Sequence, residues 1–357
     1  ATPEPSDIQN QYFVIDENVA CDYLASLKQE IVSIKLKDDK VVISRGRGRF
    51  TLESETEAGK RAETVVSDID SANGKTITIN DPASFSAKFK RSSSFTNKDF
   101  FANTYNVFVN PTDKAMYGTD GFRLNKIDLS DNEISSVNTF ENHEYVAIPR
   151  ILTSSFLELF PNSDSIDCCI GSNFIVFKNN PGRDYTKAIK VKTRAAENVP
   201  PFNNILKTNN ADASITVKTH ELKEAIRIGK AMTDEDSRMY IMVTRNSLIV
   251  YAQDQGSFVT AMKAKMSEED YQYFLKHSDK REPVLVVLIN GRFLTDALSA
   301  AGDEVTLCFS TKASSVHSTH MVSIATGNET NLIMPINAQS YPLNDREKNI
   351  EELLEAV

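Results

Sequence analysis

The sequence predicts an α+β fold in which a β-α-β-β-β unit is repeated, with helices in one layer and antiparallel sheets in the other. Two patterns predict this fold. Apolar residues recur at helical spacing in some segments, as at Leu222, Ala225 and Ile226. Between them lie short strand-like segments such as Met239–Val243. Because helices with one apolar stripe and sheets with one apolar face bury these surfaces against each other, we expect two layers.

Five copies of the unit, called repeats here, can be placed along the 357 residues. In repeat one, the elements are strand Gln11–Ile15, helix Asn18–Lys28, and strands Ile31–Leu36, Val41–Ser44 and Arg49–Glu53. In repeat two, they are strand Thr76–Ile79, a helix after Asp81 and Pro82, and strands near Asn106–Val109, Ala115–Thr119 and Arg123–Asp128. In repeat three, they are strand Tyr145–Ile148, helix Ile151–Phe160, and strands Ile166–Ile170, Phe174–Lys178 and Ala188–Thr193.

Repeats four and five show the helical spacing most clearly, as at Leu294, Ala297, Leu298 and Ala301. In repeat four, the elements are strand Ser214–Val217, helix Glu221–Met232, and strands Met239–Val243, Ser247–Gln253 and Ser257–Lys265. In repeat five, they are strand Val284–Leu288, helix Gly291–Ala301, and strands Glu304–Ser310, Val316 to Thr326, and Asn331–Pro335.

Paired repeats define the predicted domains. Repeats two and three form one domain, 73–208, and repeats four and five form another, 209–337. Repeat one has no partner, so we predict that 1–72 is half a domain plus a linker. The linker is the polar stretch Glu53–Gly74. Residues 338–357 form a C-terminal tail.

The composition predicts a cytoplasmic protein with no membrane contact. The segment Ala1–Gln11 is polar, and no apolar run approaches the roughly 20 residues that a bilayer span needs. The four cysteines, Cys21, Cys168, Cys169 and Cys308, form no C-x-x-C motif. We therefore expect reduced, structural thiols.

Several basic residues lie in or near the predicted helices, although the net charge is −9. Lys223, Arg227 and Lys230 lie at i, i+4 and i+7 and form one stripe. Two interpretations stay open: a solvated helix face, or a surface that follows DNA phosphates without regard to sequence. The other basic residues assigned to this surface are Lys88, Lys90, Arg91, Lys98, Arg150 and Arg292.

Three motifs that could carry chemistry are better explained as structure. Gly46 and Gly48 form a G-x-G that opens no helix, so a turn is favoured over a phosphate-binding loop. His317 and His320 point to opposite faces of a predicted strand, which argues against a metal site. Asp120 is typical of a tight turn. The sequence therefore predicts no enzyme, no metal site and no cofactor.

Several segments, in matching order, resemble the bacterial sliding clamp, the beta subunit of the replicative DNA polymerase. The similarity runs from about Gln11 to Ile336, and Thr119–Leu124 is its most specific part. The resemblance implies the DNA clamp fold and a non-enzymatic processivity factor, a head-to-tail dimeric ring around duplex DNA with basic helices facing inward. The segments are Val41–Leu52, Tyr117–Leu124, Val146–Arg150, Ile170–Asn173 and Leu332–Pro335.

The resemblance also implies a peptide-binding pocket between the second and third domains, where a DNA polymerase and a clamp loader dock, and a subunit joint. The pocket residues would be Ala102, Thr119, Gly121, Phe122, Arg123, Leu124, Pro200, Asn204, Ile205, Ser315, Leu332, Met334, Pro335 and Ile336. The joint would use Tyr23, Leu27 and Phe50 on one edge, and Ala231 and Met232 on the other.

Three features depart from the family pattern. The chain begins in the second half of the family's first domain, so either it is a fragment or another element covers that half. Asn204 stands where the family often has Arg. The tail 338–357 extends past the usual end, and Ile350, Leu353, Leu354 and Val357 give it a helical stripe. We interpret this tail as flexible. The alternative is that Gln339–Leu343 occupies the neighbouring peptide pocket. The competing prediction for function is a protein-protein scaffold with a clamp-like fold that does not encircle DNA.

Overall fold

The computed structural model of the chain describes most of repeats two to five and the last three strands of repeat one. Strand Gln11–Ile15, helix Asn18–Lys28 and most of helix Ile151–Phe160 lie outside the described residues. No helix in the described segments is long and apolar enough to cross a membrane. These segments are 33–37, 40–45, 48–53, 75–97, 105–136, 140–141, 144–153, 160, 163–171, 174–179, 188–192, 199–208, 212–233, 237–254, 256–277, 283–310 and 321–336.

The elements follow the predicted repeat order. The first half of the described chain contains β1 (Ser33–Lys37), β2 (Lys40–Arg45), β3 (Gly48–Glu53), β4 (Thr76–Ile79), α1 (Pro82–Ser93), β5 (Asn106–Asn110), β6 (Ala115–Thr119), β7 (Arg123–Asp128), β8 (Ile134–Ser136), β9 (Val146–Pro149), a 3-10 turn (Arg150–Thr153), β10 (Ile166–Ile170), β11 (Phe174–Asn179) and β12 (Ala188–Lys192). The second half contains α2 (Phe202–Thr208), β13 (Ala213–Lys218), α3 (Thr219–Ala231), β14 (Arg238–Val243), β15 (Ser247–Gln253), β16 (Ser257–Lys265), α4 (Glu268–His277), β17 (Leu285–Asn290), α5 (Gly291–Ala297), a 3-10 turn (Leu298–Ala300), β18 (Glu304–Phe309), β19 (Val322–Thr326) and β20 (Glu329–Ile333).

Helix α1 shows how local sequence sets an element. The Asp81 carboxylate accepts a hydrogen bond from the Ser84 amide, 2.9 Å away, and Pro82 occupies the first helical turn. Phe85 and Phe89 bury one face of the helix. At its far end the helix lies so close to β6 that a Cβ on Gly118 would come within 2.0 Å of the Ser92 carbonyl oxygen. Glycine is therefore required at this contact.

Within each pair, the first strand of one repeat is hydrogen-bonded to the strands of the other repeat. In repeats two and three, β4 joins β10, and β9 joins β5; in repeats four and five, β13 joins β18, and β17 joins β14. Each repeat therefore completes the sheet of its partner. The limits 1–72, 73–208, 209–337 and 338–357 remain predictions.

One sheet runs through both repeat pairs. In the described residues its strand order is β17-β14-β15-β16-β13-β18-β19-β20-β7-β6-β5-β9, beside a sheet β12-β11-β10-β4-β8 and a separate sheet β1-β2-β3. The two pairs meet at an antiparallel β7–β20 ladder, where Leu124 lies opposite Leu332 and Asn125 opposite Asn331. Helices α1, α3 and α5 pack on one face of this sheet, which we call the helix face; the opposite side is the outer face.

Three elements were not predicted from the sequence: α2, α4 and β8. The start of helix α4 is marked in the sequence by Ser267 and Asp270, three residues apart. The Ser267 hydroxyl caps the helix by accepting a hydrogen bond from the Asp270 amide. No element was predicted between Lys265 and Val284. Conversely, predicted helix Gly291–Ala301 is α-helical only to Ala297 and continues as a 3-10 turn.

The described cysteines are free thiols. Cys168 and Cys169 are buried, and Cys308 is partly buried. Burial raises the pKa of the Cys168 thiol, with a smaller contribution from the neighbouring Cys169. A thiol whose pKa is raised contains little thiolate near neutral pH, so Cys168 should be chemically inert.

Glu133 provides a pH-dependent contribution to stability. Burial alone would raise its pKa, but hydrogen bonds from Lys88, Ser130 and Ser84 together lower that pKa to about 2. The contribution is therefore complete above the ordinary pKa of 4.5 and is lost as the pH falls from there through about 2.

We expect Glu133→Gln to lose about 2–3 kcal/mol of unfolding free energy at pH 7. The deficit relative to wild type should shrink between pH 5 and pH 3, as followed by urea unfolding at each pH. Glu144→Gln is the control, because its ion pair with Lys75 is about a third exposed and should contribute under about 1 kcal/mol. A deficit that does not change with pH would contradict the role assigned to Glu133.

Candidate functional site

The helices of both repeat pairs line the same face of the continuous sheet. The Ser92 hydroxyl of α1 donates to Asn125 of β7, 2.7 Å away. Beside it, the Asn331 amide of β20 donates to the Ala297 carbonyl of α5. Since Asn125 and Asn331 are paired in one ladder, α1 and α5 lie side by side, and α3 packs against α5. The 3-10 turn after β9 packs against α1.

Some of the basic residues assigned to DNA are free to reach solvent on this helix face. Lys90, Arg227 and Arg292 are exposed, and Lys223 and Lys230 are partly exposed. Arg227 forms an exposed ion pair with Glu224. Lys98 lies outside the described residues. DNA contact by these residues stays a prediction.

Other basic residues of the predicted set are already bound within the protein. The Lys88 ammonium donates to Glu133 at 2.7 Å. The Arg150 guanidinium donates to the Thr96 carbonyl at 2.7 Å. Arg91 forms an ion pair with Glu329 of β20. These three side chains therefore support the fold, and less of their charge is available to a phosphate than the sequence suggested.

A buried polar cluster, which we call the junction network, joins the two repeat pairs on the helix face. Arg91 Nε lies 2.9 Å and 3.2 Å from the two Glu329 carboxylate oxygens. The Asn125 amide donates to Glu329 and to Asn331, both at 2.9 Å. Glu329 is 5% exposed and the two asparagines are fully buried. Every acceptor is matched to a donor, as a buried charge requires.

Arg123, predicted as a pocket residue, is held at this junction. Its guanidinium donates to the Ser94 carbonyl at 2.9 Å, and forms ion pairs with Asp120 and Asp296. It also lies over two aromatic rings, at 4.9 Å from the Phe95 centroid and 4.5 Å from that of Phe293. Because successive side chains of a strand point to opposite faces, Arg123 faces the helices whereas Leu124 faces outward.

Asp120 is occupied as a turn residue. Its carboxylate accepts from the Phe122 and Arg123 amides at 3.0 Å and 3.1 Å, and from Arg123 Nε at 2.8 Å. Gly121, with φ of 91°, completes the turn in a conformation that favours glycine.

An apolar cluster with an exposed rim lies on the outer face at the same ladder. Leu124 and Leu332 are buried opposite each other and pack with Phe202 and, at the edge, Ile205 of α2. Phe122 and Met334, which extend the ladder by a hydrogen bond of 2.8 Å, are 42% and 46% exposed. Adjacent exposed apolar side chains above an apolar floor suit a short peptide.

The other predicted pocket residues are distributed around this cluster. Thr119 accepts from the Gly121 amide and donates to the Arg123 carbonyl, which shapes the turn. Pro200 precedes α2, and Asn204 lies in its first turn and is exposed. Ile336 belongs to a different outer-face cluster, with Leu288. Ala102 and Ser315 lie outside the described residues. The pocket assignment stays a prediction.

Aromatic residues that were not assigned from the sequence form the floor of the outer-face cluster. Phe202 stacks on Tyr117 with centroids 4.6 Å apart, and Phe108 and Tyr145 pack around it, each 5.4 Å from Phe202. The available signal was the run Pro200–Ile205, where pocket residues were named but no helix was predicted. Its apolar residues were informative because an exposed linker rarely needs them.

Three of the residues assigned to the subunit joint, Phe50, Ala231 and Met232, are described by the structure. Phe50 lies in β3, opposite Ile43. Ala231 is the last residue of α3, and Met232 is its C-cap. Met232 Sδ would lie 3.2 Å from a Cβ on Gly256, which precedes β16. Tyr23 and Leu27 lie outside the described residues.

Comparison with known proteins identifies the architecture. No protein-family model and no curated protein matches the sequence. Solved structures do match. A sliding clamp from Pseudomonas aeruginosa is 17% identical with a TM-score of 0.64, covering 91% of this chain and 81% of that one. The DNA polymerase III beta subunit from Thermotoga maritima is 17% identical with a TM-score of 0.63, at the same coverage.

A third structure, the Helicobacter pylori beta clamp bound to a DNA ligase peptide, is 17% identical with a TM-score of 0.61, covering 93% of this chain and 84% of that one. Sequence identity is low while the structural match spans nearly the whole chain. The comparisons therefore show the fold, and the α+β prediction made from the repeats is confirmed.

Proposed function

Because the chain has the fold of the bacterial DNA sliding clamps, we propose that it is a non-enzymatic processivity factor. In this proposal it encircles duplex DNA in the cytoplasm and tethers a DNA polymerase to it. One observation supports this most directly: helices carrying exposed cations lie on one face of a continuous sheet, and an exposed apolar patch lies on the other. Such a layout separates a surface for phosphates from a surface for protein partners.

The distribution of charge also explains how an acidic protein could hold DNA. The net charge is −9, yet the exposed cations Lys90, Arg227 and Arg292 lie on helices of one layer. Contacts between such residues and phosphates depend on local charge and carry no base specificity. Weak, sequence-independent contacts allow sliding, while a closed ring prevents sideways escape.

Ring closure can be argued from the ladder that joins the two repeat pairs. In that ladder β7 pairs with β20. Each of these is the third strand after the helix of its repeat, β7 in repeat two and β20 in repeat five. The equivalent strands of repeats four and one are β16 and β3. Among the described residues, β16 pairs with β13 only at Ala264 and Lys265, and β3 is an edge of its sheet. A β3–β16 ladder between chains would close a head-to-tail dimer and cover both edges.

The apolar patch at Phe122 and Met334 is the proposed tether. A short linear peptide from a polymerase or a clamp loader would place apolar side chains against Phe122, Met334 and the floor below them. The Helicobacter pylori clamp was solved with a DNA ligase peptide, which supports the use of peptides as partners by this fold.

The test is topological retention on DNA. The protein is first allowed to thread over the ends of linear duplex DNA, and the DNA is then circularised by ligation. The complex is separated from free protein by gel filtration at moderate salt, and the DNA is then linearised. We expect retention on circles and release on linearisation, since only a ring is held by topology. Equal loss from circles and linear DNA would contradict the proposal.

A pair of charge-reversal variants connects that test to the helix face. Lys90→Glu with Arg292→Glu should lower the retained fraction at least about tenfold, because phosphate contacts are replaced by repulsion. Lys207→Glu with Lys276→Glu changes charge equally, at exposed lysines outside the predicted DNA-facing set and outside β16, and should retain DNA like wild type.

A second candidate function is a protein-protein scaffold that does not encircle DNA. It is favoured by the intramolecular contacts of Lys88, Arg91 and Arg150, which reduce the free charge on the helix face. A scaffold would bind peptides at the outer patch but show no difference between circular and linear DNA. The retention experiment therefore separates the two functions.

A further inference from the structure

The outer face of the β17-β14-β15-β16 part of the large sheet carries an apolar cluster that is almost completely covered. Cross-strand partners such as Tyr240 and Tyr251, and Met242 and Ile249, lie side by side on it. These residues and Leu288 form one cluster, and each is 5% exposed or less. An apolar patch this well shielded must have something packed over it.

Helices α3 and α5 cannot supply that cover, because they lie on the other side of these strands. Alternate residues of the same strands, including Met239, Ile241 and Val250, pack with α3 and α5 in the main core. The neighbouring outer surface shows what an uncovered face looks like: Thr216 pairs with Thr306 through their hydroxyls, and both are partly exposed. An antiparallel sheet facing water normally alternates in this way.

Within the described residues, the element that approaches this face from outside the sheet is the segment following β20. The Ile336 amide donates to the Leu288 carbonyl at 2.7 Å, and its side chain packs against the cluster. Val286, on the same face at the edge strand, is 37% exposed, so the cover ends there. The chain continues for residues 337–357 from this point.

The other repeat pair shows how such a face is covered. There α2, which follows the last strand β12 in the sequence, lies on the outer face, with Phe202 stacked on Tyr117 and packed against Phe108. Strands β9-β5-β6-β7 correspond to β17-β14-β15-β16 in repeat order. The segment after β20 stands in the same position in the sequence as the segment that carries α2.

We propose that residues 337–357 fold back over this outer face and bury the cluster of Tyr240, Met242, Ile249, Tyr251 and Leu288. The chemistry fits, since Ile350, Leu353, Leu354 and Val357 form an apolar stripe at helical spacing and Glu351, Glu352 and Glu355 lie off it. The size fits too: a helix of about 13 residues spans about 20 Å, close to the width of four strands at about 4.8 Å spacing.

This fold-back of residues 337–357 requires neither DNA binding nor ring formation. It does place the segment next to the Phe122 and Met334 patch, because Met334 and Ile336 precede it directly. A partner that uses the β14 and β15 face would therefore have to displace this segment first.

Methionine oxidation tests the proposal with an internal control. Met242 faces outward and Met239 faces the helices on the same strand, and both are buried. In the full chain, Leu353→Glu with Leu354→Glu should free the face and raise the rate of Met242 oxidation by hydrogen peroxide at least tenfold. Met239 should stay protected, and exposed Met334 should react rapidly in every variant. Peptide mass spectrometry measures each rate.

The matched control is Asn349→Glu with Ala356→Glu, which adds the same charge off the apolar stripe and should leave Met242 protected. Protection of Met242 that is unchanged in Leu353→Glu with Leu354→Glu would overturn the proposal. If Met239 were oxidised together with Met242, the variant would have unfolded. A photo-crosslink would then decide whether residues 337–357 cover the outer face.

For that crosslink, p-benzoylphenylalanine replaces Leu353 in the otherwise unchanged full chain. Crosslinks to peptides of β14, β15 or β17 within one chain are expected. Crosslinks to another part of the chain, or to a second chain as seen by doubled mass, would show that the cover has a different source.

Discussion

Replacing Glu329 by alanine should lower the free energy of unfolding by about 3–5 kcal/mol, the largest single-residue effect that we expect. Glu329 is 5% exposed and accepts hydrogen bonds from Arg91, Asn125 and Asn331. Removing its carboxylate leaves the Arg91 guanidinium, with 18% of its side chain exposed, without its ion-pair partner. It also removes one of the two acceptors of each buried amide, Asn125 and Asn331. The cost of unpaired buried groups exceeds the value of the pair itself.

Denaturant unfolding monitored by circular dichroism measures this loss. The matched control is Glu304→Ala, which removes an ion pair with Lys265 whose side chains are 48% and 70% exposed. We expect the control to lose under about 1 kcal/mol, because water screens exposed pairs. Equal losses in the two variants would mean that the junction network contributes no more than a surface contact.

Phe122→Asp combined with Met334→Asp should weaken peptide binding at least about 30-fold, which corresponds to about 2 kcal/mol. The two side chains are exposed, adjacent and apolar, and carboxylates there would have to be desolvated by an apolar ligand. Fluorescence polarisation with the DNA ligase peptide seen on the Helicobacter pylori clamp is a suitable measurement. This tests the tether independently of DNA retention.

Val286→Asp is the control for that double variant. Val286 is also an exposed apolar residue, at 37%, but it lies in β17 away from the β7–β20 ladder. It should leave peptide affinity unchanged. If all three proteins bound the peptide equally, the peptide site would lie elsewhere on the chain.

Much of the fold could be read from local patterns, because strands and helices are set by short-range spacing. Helix α3 was predicted as Glu221–Met232 and spans Thr219–Ala231, and β15 was predicted with its observed limits, Ser247–Gln253. Each depends on apolar residues whose positions repeat within a few residues. Elements without such repetition, such as α2 with seven residues, were missed.

The candidate site could be predicted only in part. Leu124 and Leu332 were placed together from a resemblance, and the structure brings them opposite each other in one ladder. Arg123 was placed with them, but its side chain reaches the helix face, between Phe95 and Phe293. The sequence did not show which face of the sheet each of these side chains points to, because that depends on strand register.

The sequence by itself determined the repeat, the two kinds of layer and the presence of basic helices, because each follows from spacing within a short segment. Only the tertiary structure decided which charges are free. Arg91 and Lys90 are neighbours on one helix, yet Arg91 is bound to Glu329, 238 residues away along the chain, whereas Lys90 is exposed. Pairing over such a separation depends on how the two repeat pairs dock, and no local pattern records it.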